Sequence, residues 1–562
     1  MNFLRTTRTL LIRPATHMKG KTEIIILFLI GLALMLLLAW LHLHPSDTPP
    51  QNSTPASSPV SEPAATTADD QQSGPAITPD ATAAVLAAKM NRRFTRPDAR
   101  AHEAVLIFKN DDGYRRFLAR AAQTGVEVLG QIDALSIARV HVRAYDTLAA
   151  ELLAHAADYG GVAANTLVQA PPVPEDRSTH PQIPVRDTLL ATLGITTDNS
   201  TWGRGVTIAV LDSGALPDVT LGGGRLKYLD IGLGYTGPVD ESLHGTAVAA
   251  LASGSSPDAR GVAPAAGILS IRVTDTDGKS DAFTVTQAIV AAVDAAAQII
   301  NISMGGYSTS EAFDRAVAYA DSHGAVIVAA AGNDQASRLA WPAADPRVIS
   351  VGAVDATGEQ VSFSNSGPQL HLTAPGYGID TAGVNGERIL FSGTSASAPV
   401  VAGAIAAVMS ESTGLTAAQA VQVLQTHADD SGPAGVDPDY GHGVVDLGWA
   451  MTRNDPTRAD IAISSNSYDA ESSTVSVVIQ NRSSTTTATM TLTADIAGTV
   501  RNYAVPPLAP GAVTSVNLPV DPAQLAREGR LVLRTDLVLP PGFTDQIPAN
   551  NHRASVLTAP AH

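Results

Sequence analysis

The 562-residue chain contains no cysteine, which excludes disulfides, thiol nucleophiles and cysteine-ligated zinc or iron–sulfur centres. Positive charge is also scarce. Thirty-six Lys and Arg stand against 53 Asp and Glu, a formal net charge of −17, and no Lys/Arg cluster is present to grip phosphates, so a general nucleic-acid-binding role is set aside. No G-x-G-x-x-G follows the first strong strand pattern, which counts against a nucleotide-binding α/β enzyme. No fixed-period repeat suggests a solenoid. What the chain does have is length for more than one domain and, at 44% hydrophobic residues, material for a sizeable core.

The N-terminal segment bears on the compartment. Residues 24–43, "IIILFLIGLALMLLLAWLHL", are long and apolar enough to cross a bilayer as a helix. A cleavable export signal has a shorter apolar core and an A-x-A-like site after it, and no such site follows. Arg5, Arg8, Arg13, Lys19 and Lys21 precede the segment, which predicts a cytoplasmic basic tail (1–23), a single transmembrane signal anchor (24–43, with Trp40 at the interface) and a periplasmic or extracellular remainder. Residues 44–100 read as a Pro/Ser/Thr/Ala-rich linker. Eight prolines lie between Pro45 and Asp80, with Val60 and Ile77 the only large aliphatics there, too little apolar surface to drive folding.

Three folded regions follow. Between Glu103 and Leu167 the order strand "AVLIFK", helix "DDGYRRFLARAAQTG", strands "VEVLGQI" and "SIARVHV", helix Tyr145–His155 and strand "GVAANTLVQ" predicts a ferredoxin-like βαββαβ domain over 101–170. Over 180–453, apolar strands at 206–211, 268–273, 298–303, 325–331 and 348–354 alternate with helices such as 285–297 and 312–323. Continuous apolar strands of this kind belong to a doubly wound, mainly parallel α/β sheet covered on both faces, with its chemistry at the carboxyl ends of strands. From 458 to 558 alternating strands with Pro-Gly turns predict an antiparallel β-sandwich.

Four residues of the central region are candidates for chemistry. Asp212 ends the first core strand in "VLDSG", His244 opens "HGTAVAALASG", Asn333 lies in "AAAGND" and Ser395 in "GTSASAPVVAG". Singly each has a plain structural explanation: a turn cap, a solvated loop histidine, a turn asparagine, a small-residue helix start whose first turn tolerates Pro399. Together they supply the parts of acyl transfer. Ser395 is the nucleophile, His244 the general base and Asp212 its orienting carboxylate; the backbone N–H of Ser395 and the amide of Asn333 are oxyanion donors.

These four motifs, in this order and spacing, resemble the signature regions of the subtilisin-like serine peptidases (peptidase S8). The likeness runs from about Pro184 through "WPAADPRVISVGAVDATGEQVSFSNSGPQLHLTAPG" to Ala450. It implies a subtilisin-like fold with Asp212, His244 and Ser395 as triad and Asn333 as oxyanion donor. It further implies that Ser303, Met304 and Gly305 of "ISMGG" bind an extended protein or peptide substrate as an added strand, with "VTDTDGKSD" along the other side. The βαββαβ domain resembles the family's inhibitory propeptide, whose tail around Val168–His180 would thread the cleft and be cut by Ser395. The terminal sandwich resembles adhesion-type domains.

Departures from the family are small. Ala247 stands where many relatives carry a second histidine and Ala250 where glycine is common. Ala-Ser-Ala-Pro follows Ser395 in place of the usual Met-Ala-Ser-Pro, and "ASGSSPDARG" lacks the asparagines of a calcium loop. No cofactor is implied, and calcium is left unassigned. Asp334 beside Asn333 hints at tolerance of basic residues in the substrate. The expectation is therefore a membrane-tethered serine endopeptidase that processes itself. The alternative is a non-catalytic or permanently inhibited surface binding protein on the same scaffold.

Overall fold

The computed structural model describes residues 79–169 and 182–558, apart from 236, 239, 241, 384–385 and 412–413. The stretches expected to form the basic tail (1–23), the anchor (24–43), most of the linker and residues 170–180 of the tail expected to thread the cleft lie outside the described residues. Among the described residues no helix is long and apolar enough to cross a membrane.

The stretch read as linker ends earlier than residue 100. Helix α1 (Pro79–Phe94) buries Ala87, Met90 and Phe94, spaced by three and four residues along one helical face. Beyond it run β1 (Ala99–Phe108), α2 (Asp111–Thr124), β2 (Val126–Ile132), β3 (Ile137–Val142), α3 (Tyr145–Ala154) and β4 (Tyr159–Gln169). Helix α2 starts where the Asn110 side chain accepts from Gly113 N at 2.9 Å and stops at Gly125 with φ 74°, a left-handed cap that glycine adopts without strain. The strands pair antiparallel in the order β4-β1-β3-β2. One face of this sheet, with Leu106, Phe108 and Val140, packs against the helices, which contribute Phe94, Phe117 and Leu148. Val105, Ile107, Ile132 and Ile137 on the other face meet Phe283, Val290 and Ala312 of the next region. Gly130 lets the two surfaces approach, since a β-carbon there would sit 2.7 Å from the Phe283 ring.

The central region is built on β5 (Thr207–Asp212), β6 (Leu226–Tyr228), α4 (His244–Ser253), β7 (Gly267–Arg272), β8 (Lys279–Asp281), α5 (Ala282–Asp294), β9 (Ile299–Ile302), α6 (Glu311–Ser322), β10 (Val326–Ala330), β11 (Ile349–Val354), β12 (Leu372–Pro375), α7 (Thr394–Glu411), β13 (Ala428–Asp429) and β14 (Val444–Val445). Its nine-stranded sheet has the order β13-β14-β12-β11-β10-β9-β5-β7-β6, parallel except for the β13–β14 pair. Strand order reverses beside β5, the point where such sheets leave a crevice at their carboxyl edge. Helix α7 is buried from Thr394 to Val408 and packs against α4 through small residues: a β-carbon on Gly403 would lie 2.8 Å from the Ala252 carbonyl. Larger side chains there would force the helices apart at a cost of about 1–3 kcal/mol.

The last region forms two antiparallel sheets, β15 (Ile461–Asp469), β16 (Thr474–Asn481) and β19 (Val513–Pro519) in one, and β18 (Thr499–Val505), β17 (Met490–Ile496), β20 (Arg530–Val538) and β21 (His552–Thr558) in the other. Ile463, Val477, Leu492, Leu533 and Leu557 fill the space between them. The sandwich is fastened to the central region by Arg482. Its buried guanidinium reaches Asp446 at 3.0 Å and also pairs with Asp429. A buried guanidinium is tolerated because two carboxylates answer it.

Candidate active site

Asp212 is the last residue of β5 and is fully buried. Its Oδ1 lies 2.8 Å from His244 Nδ1 and also accepts from Ser213 N at 2.8 Å. This pairing fixes the imidazole so that Nε2 is the free nitrogen. His244 opens α4, whose first turn is held by a residue that the sequence reading passed over, Asp240. Its Oδ2 accepts from Thr246 N at 2.8 Å and from the Thr246 hydroxyl at 2.6 Å, while Ser213 Oγ reaches its Oδ1 at 2.7 Å. An acidic residue four positions before the histidine is the signal that could have found it, since carboxylates favour helix N-termini. Phe391 closes the outer side of the imidazole, edge-on at 5.2 Å between centroids.

Burial of the His244 ring works against the imidazolium, but the Asp212 charge and hydrogen bond, with the Asp240 charge behind them, override it. The histidine's pKa is therefore raised above the ordinary value of 6.5. The neutral ring is the form that accepts a proton. Activity that depends on His244 should therefore rise with pH, and kcat/KM should reach half its plateau above pH 6.5. Asp212→Asn removes the raising charge and leaves the burial, so the midpoint measured in a pH–rate profile should move down along with the rate. A midpoint unchanged in that variant would contradict the assignment.

Ser395 is the second residue of α7 and only 2% exposed. The first-turn explanation for Pro399 does not hold. That proline is the sixth residue of the helix, past the turn that needs no N–H, and it deprives the Ser395 carbonyl of its helical donor. Ser303 replaces the missing donor: its hydroxyl donates to Ser395 O at 3.1 Å and accepts from Asn301 Nδ2 at 3.0 Å. The end of β9 is thus bonded to the turn that carries the nucleophile candidate. His244 Nε2 is buried and makes no hydrogen bond, so the Ser395–His244 contact is not closed, as is common before a substrate is bound.

Asn333 follows β10. Its Oδ1 accepts from Thr394 N at 2.9 Å and from the Thr394 hydroxyl at 2.8 Å, which turns Nδ2 outward. That Nδ2 is buried and without a partner. Gly393, with φ 132°, adjoins both groups: a β-carbon built on it would lie 2.8 Å from Ser395 Oγ and 3.0 Å from Asn333 Nδ2. A hydroxyl and an orphan amide donor therefore flank the same small space. A buried, unsatisfied donor has a standing cost that a developing oxyanion can relieve.

Met304 is buried in the core beneath the site and Gly305 forms an antiparallel bridge to Gln169. Gly305 N donates to Gln169 O at 3.2 Å and Gln169 N to Gly305 O at 3.3 Å. On its other side β4 pairs with β8, Leu167–Gln169 opposite Asp281–Lys279. The end of β4 is thus a strand inserted between "ISMGG" and "VTDTDGKSD". Asp334 is already partnered, since its carboxylate accepts the Tyr307 hydroxyl and Arg338 lies 4.4 Å over that ring. A neutral hydroxyl donor orients the carboxylate without cancelling its charge, so this arrangement does not bear on the tolerance of basic substrate residues. Among the described residues no group of three or more His, Asp or Glu could hold a metal ion.

The sequence profile of the subtilase family (peptidase S8) matches residues 203–443. The chain is 34% identical over 253 residues to the thermostable alkaline protease of Halalkalibacterium halodurans, a match spanning 44% of this chain and 68% of that protein. It is also 34% identical over 255 residues to the subtilisin of Bacillus pumilus, spanning 90% of that protein. The chain belongs to the subtilase family. As a subtilase it is a serine-type endopeptidase, with the subtilisin-like α/β fold. Among solved structures it is similar to fervidolysin from Fervidobacterium pennivorans, a keratinolytic enzyme related to subtilisin, with a TM-score of 0.55 at 20% identity over 83% of this chain and 77% of that one. The epidermin leader-peptide-processing serine protease EpiP of Staphylococcus aureus is similar over 62–63% of this subtilase and 98% of its own chain, with a TM-score of 0.51 or 0.52 in its two structures and 22–23% identity. At such identity these structures speak for the fold alone.

Proposed function

We propose that the chain is a membrane-tethered zymogen whose endopeptidase works outside the cytoplasm on extended protein segments. Ser395 Oγ attacks the substrate carbonyl as His244 Nε2 takes its proton. The imidazolium, stabilised by Asp212, returns that proton to the leaving amine. Water then repeats the sequence on the acyl-enzyme, and the oxyanion of each step is held by Ser395 N–H and Asn333 Nδ2. Ser303 to Gly305 hold the substrate strand. One observation carries the reading: the end of β4 pairs with Gly305 as a substrate strand would, two residues beyond Ser303, whose hydroxyl is bonded to the Ser395 carbonyl.

The segment beyond Gln169 is then the chain's own first substrate. Every bond from 170 to 175 in "APPVPE" has proline on one side or both, and proline's fixed φ and missing N–H disfavour an extended pairing in the cleft. The expected cut is further on, giving a new N-terminus between Asp176 and His180, read by intact mass and N-terminal sequencing. Before the cut the chain should sediment with membranes, and removing 24–43 should release it. The occupied edge also favours a second reading, a permanently inhibited binding protein. A wild-type chain that is never shortened and never labelled by a serine-directed fluorophosphonate would establish that second reading.

A further inference from the structure

The loop that carries Asn333 has little regular structure to hold it. Gly332 has φ 113° and Gln335 φ 55°, and no strand ladder reaches the amides of Asp334 and Ala336. Backbone N–H groups that no ladder reaches need another acceptor. Both find the same one. Asn365, fully buried in "FSNSG", accepts from Asp334 N at 3.0 Å and from Ala336 N at 2.9 Å through Oδ1. Its Nδ2 donates to Ala331 O at 3.1 Å and to the Tyr307 hydroxyl oxygen at 2.8 Å, and its own N–H to Gly332 O at 3.0 Å. The side-chain amide has two acceptor sites and two donors, and all four are used. Two amides on Oδ1 also fix which end of the side chain is oxygen.

Asn365 therefore grips the loop on both sides of Asn333, at 331–332 and at 334–336. Thr394 completes the hold from the α7 side, where its hydroxyl accepts from Gly332 N at 3.1 Å and donates to Asn333 Oδ1. The fit is close: a β-carbon on Gly332 would lie 2.2 Å from Asn365 Nδ2. Nothing in this set touches the reacting atoms except the Asn333 amide.

We propose that Asn365 is a positioning residue for acyl transfer, acting through Asn333. This rests on the reading of Asn333 as oxyanion donor. Oxyanion stabilisation depends on a donor already in place when charge develops, so loosening the loop should lower kcat and leave KM nearly unchanged.

The test is a double-mutant cycle on the full chain with a short peptide ester, comparing Asn365→Ser with and without Asn333→Ala. Asn333→Ala alone should lower kcat by on the order of 10²–10³-fold, the scale seen when one such donor is removed from a serine peptidase. Asn365→Ser alone should lower kcat at least tenfold with KM within about twofold, and should cost less than about threefold once Asn333 is already alanine. An equal cost in both backgrounds overturns the proposal and makes Asn365 a merely structural residue. An undiminished kcat for Asn365→Ser overturns it as well. Wild-type kcat in Asn333→Ala sinks the donor assignment itself, a failure separable from the other two. Should Asn365→Ser not fold, Asn365→Asp, which keeps the acceptor for both amides and loses the two donations, carries the same comparison.

Discussion

Replacing Ser395 by alanine is expected to lower peptide hydrolysis by on the order of 10⁴–10⁶-fold, the scale known for removal of a triad nucleophile, and to leave the chain uncut between 175 and 180. Both losses come from one oxygen atom. The side chain contributes little to the fold: it is buried at the start of α7 and its hydroxyl is not bonded to His244 Nε2. The Ser395 carbonyl, which does carry a bond to Ser303, belongs to the backbone and survives the substitution. Stability should therefore change by less than about 1 kcal/mol, visible as an almost unmoved thermal midpoint. Hydrolysis within a factor of ten of wild type would remove Ser395 from the mechanism. A chain that is still shortened when expressed alone would assign the cut to another peptidase.

The five strongest apolar runs of the central region lie within one residue of observed strand ends, for example 206–211 against Thr207–Asp212 and 348–354 against Ile349–Val354. Such strands are legible because both faces are buried and most positions are apolar, with only isolated polar residues such as Ser270, Asn301 and Ser350 between them. The elements left unread have a different physics. β12 is four residues ending in proline, and β13 and β14 are two residues each; they owe their pairing to neighbours rather than to pattern. β15 carries the polar run "SSNSYD", and β18 is exposed along most of its length.

The site shows the same division. Asp212, His244, Asn333 and Ser395 stand in short motifs and were legible as a set. Their supports were not. Asp240 reaches across a loop to cap α4, Ser303 repairs a hydrogen bond lost to Pro399, and Asn365 clasps a loop more than thirty residues upstream. Each depends on a distance in space for which local sequence carries no period. Local sequence shows Pro399 to be helical but not how the helix tolerates it, because the carbonyl it orphans is bonded from beyond the end of a different strand.

Gly393→Ala should be nearly as damaging as loss of the nucleophile, although it removes no functional group. The reason is geometric. Gly393 has φ 132°, a region that residues with a β-carbon avoid at a cost of about 1–3 kcal/mol. Relaxing that strain would turn the peptide that leads into Thr394 and Ser395. If the backbone instead stays in place, the new methyl group lies 2.8 Å from Ser395 Oγ and 3.0 Å from Asn333 Nδ2. The first contact is closer than a β-carbon tolerates and the second is tight, so the hydroxyl and the amide must shift, and the methyl stands in the space that a tetrahedral oxyanion must enter. Either response separates the nucleophile from its oxyanion donor. Misplacement of that size costs about a hundredfold even when every group is retained, and blocking the Asn333 donor adds a further factor of about a hundred, so kcat should fall by about 10⁴-fold. The comparison that isolates the cause is Gly393→Ala in an Asn333→Ala background. Removing the amide relieves one of the two clashes and one of the two losses, so the combined defect should be clearly smaller than the product of the single defects, and a fully multiplicative result would separate Gly393 from the oxyanion site.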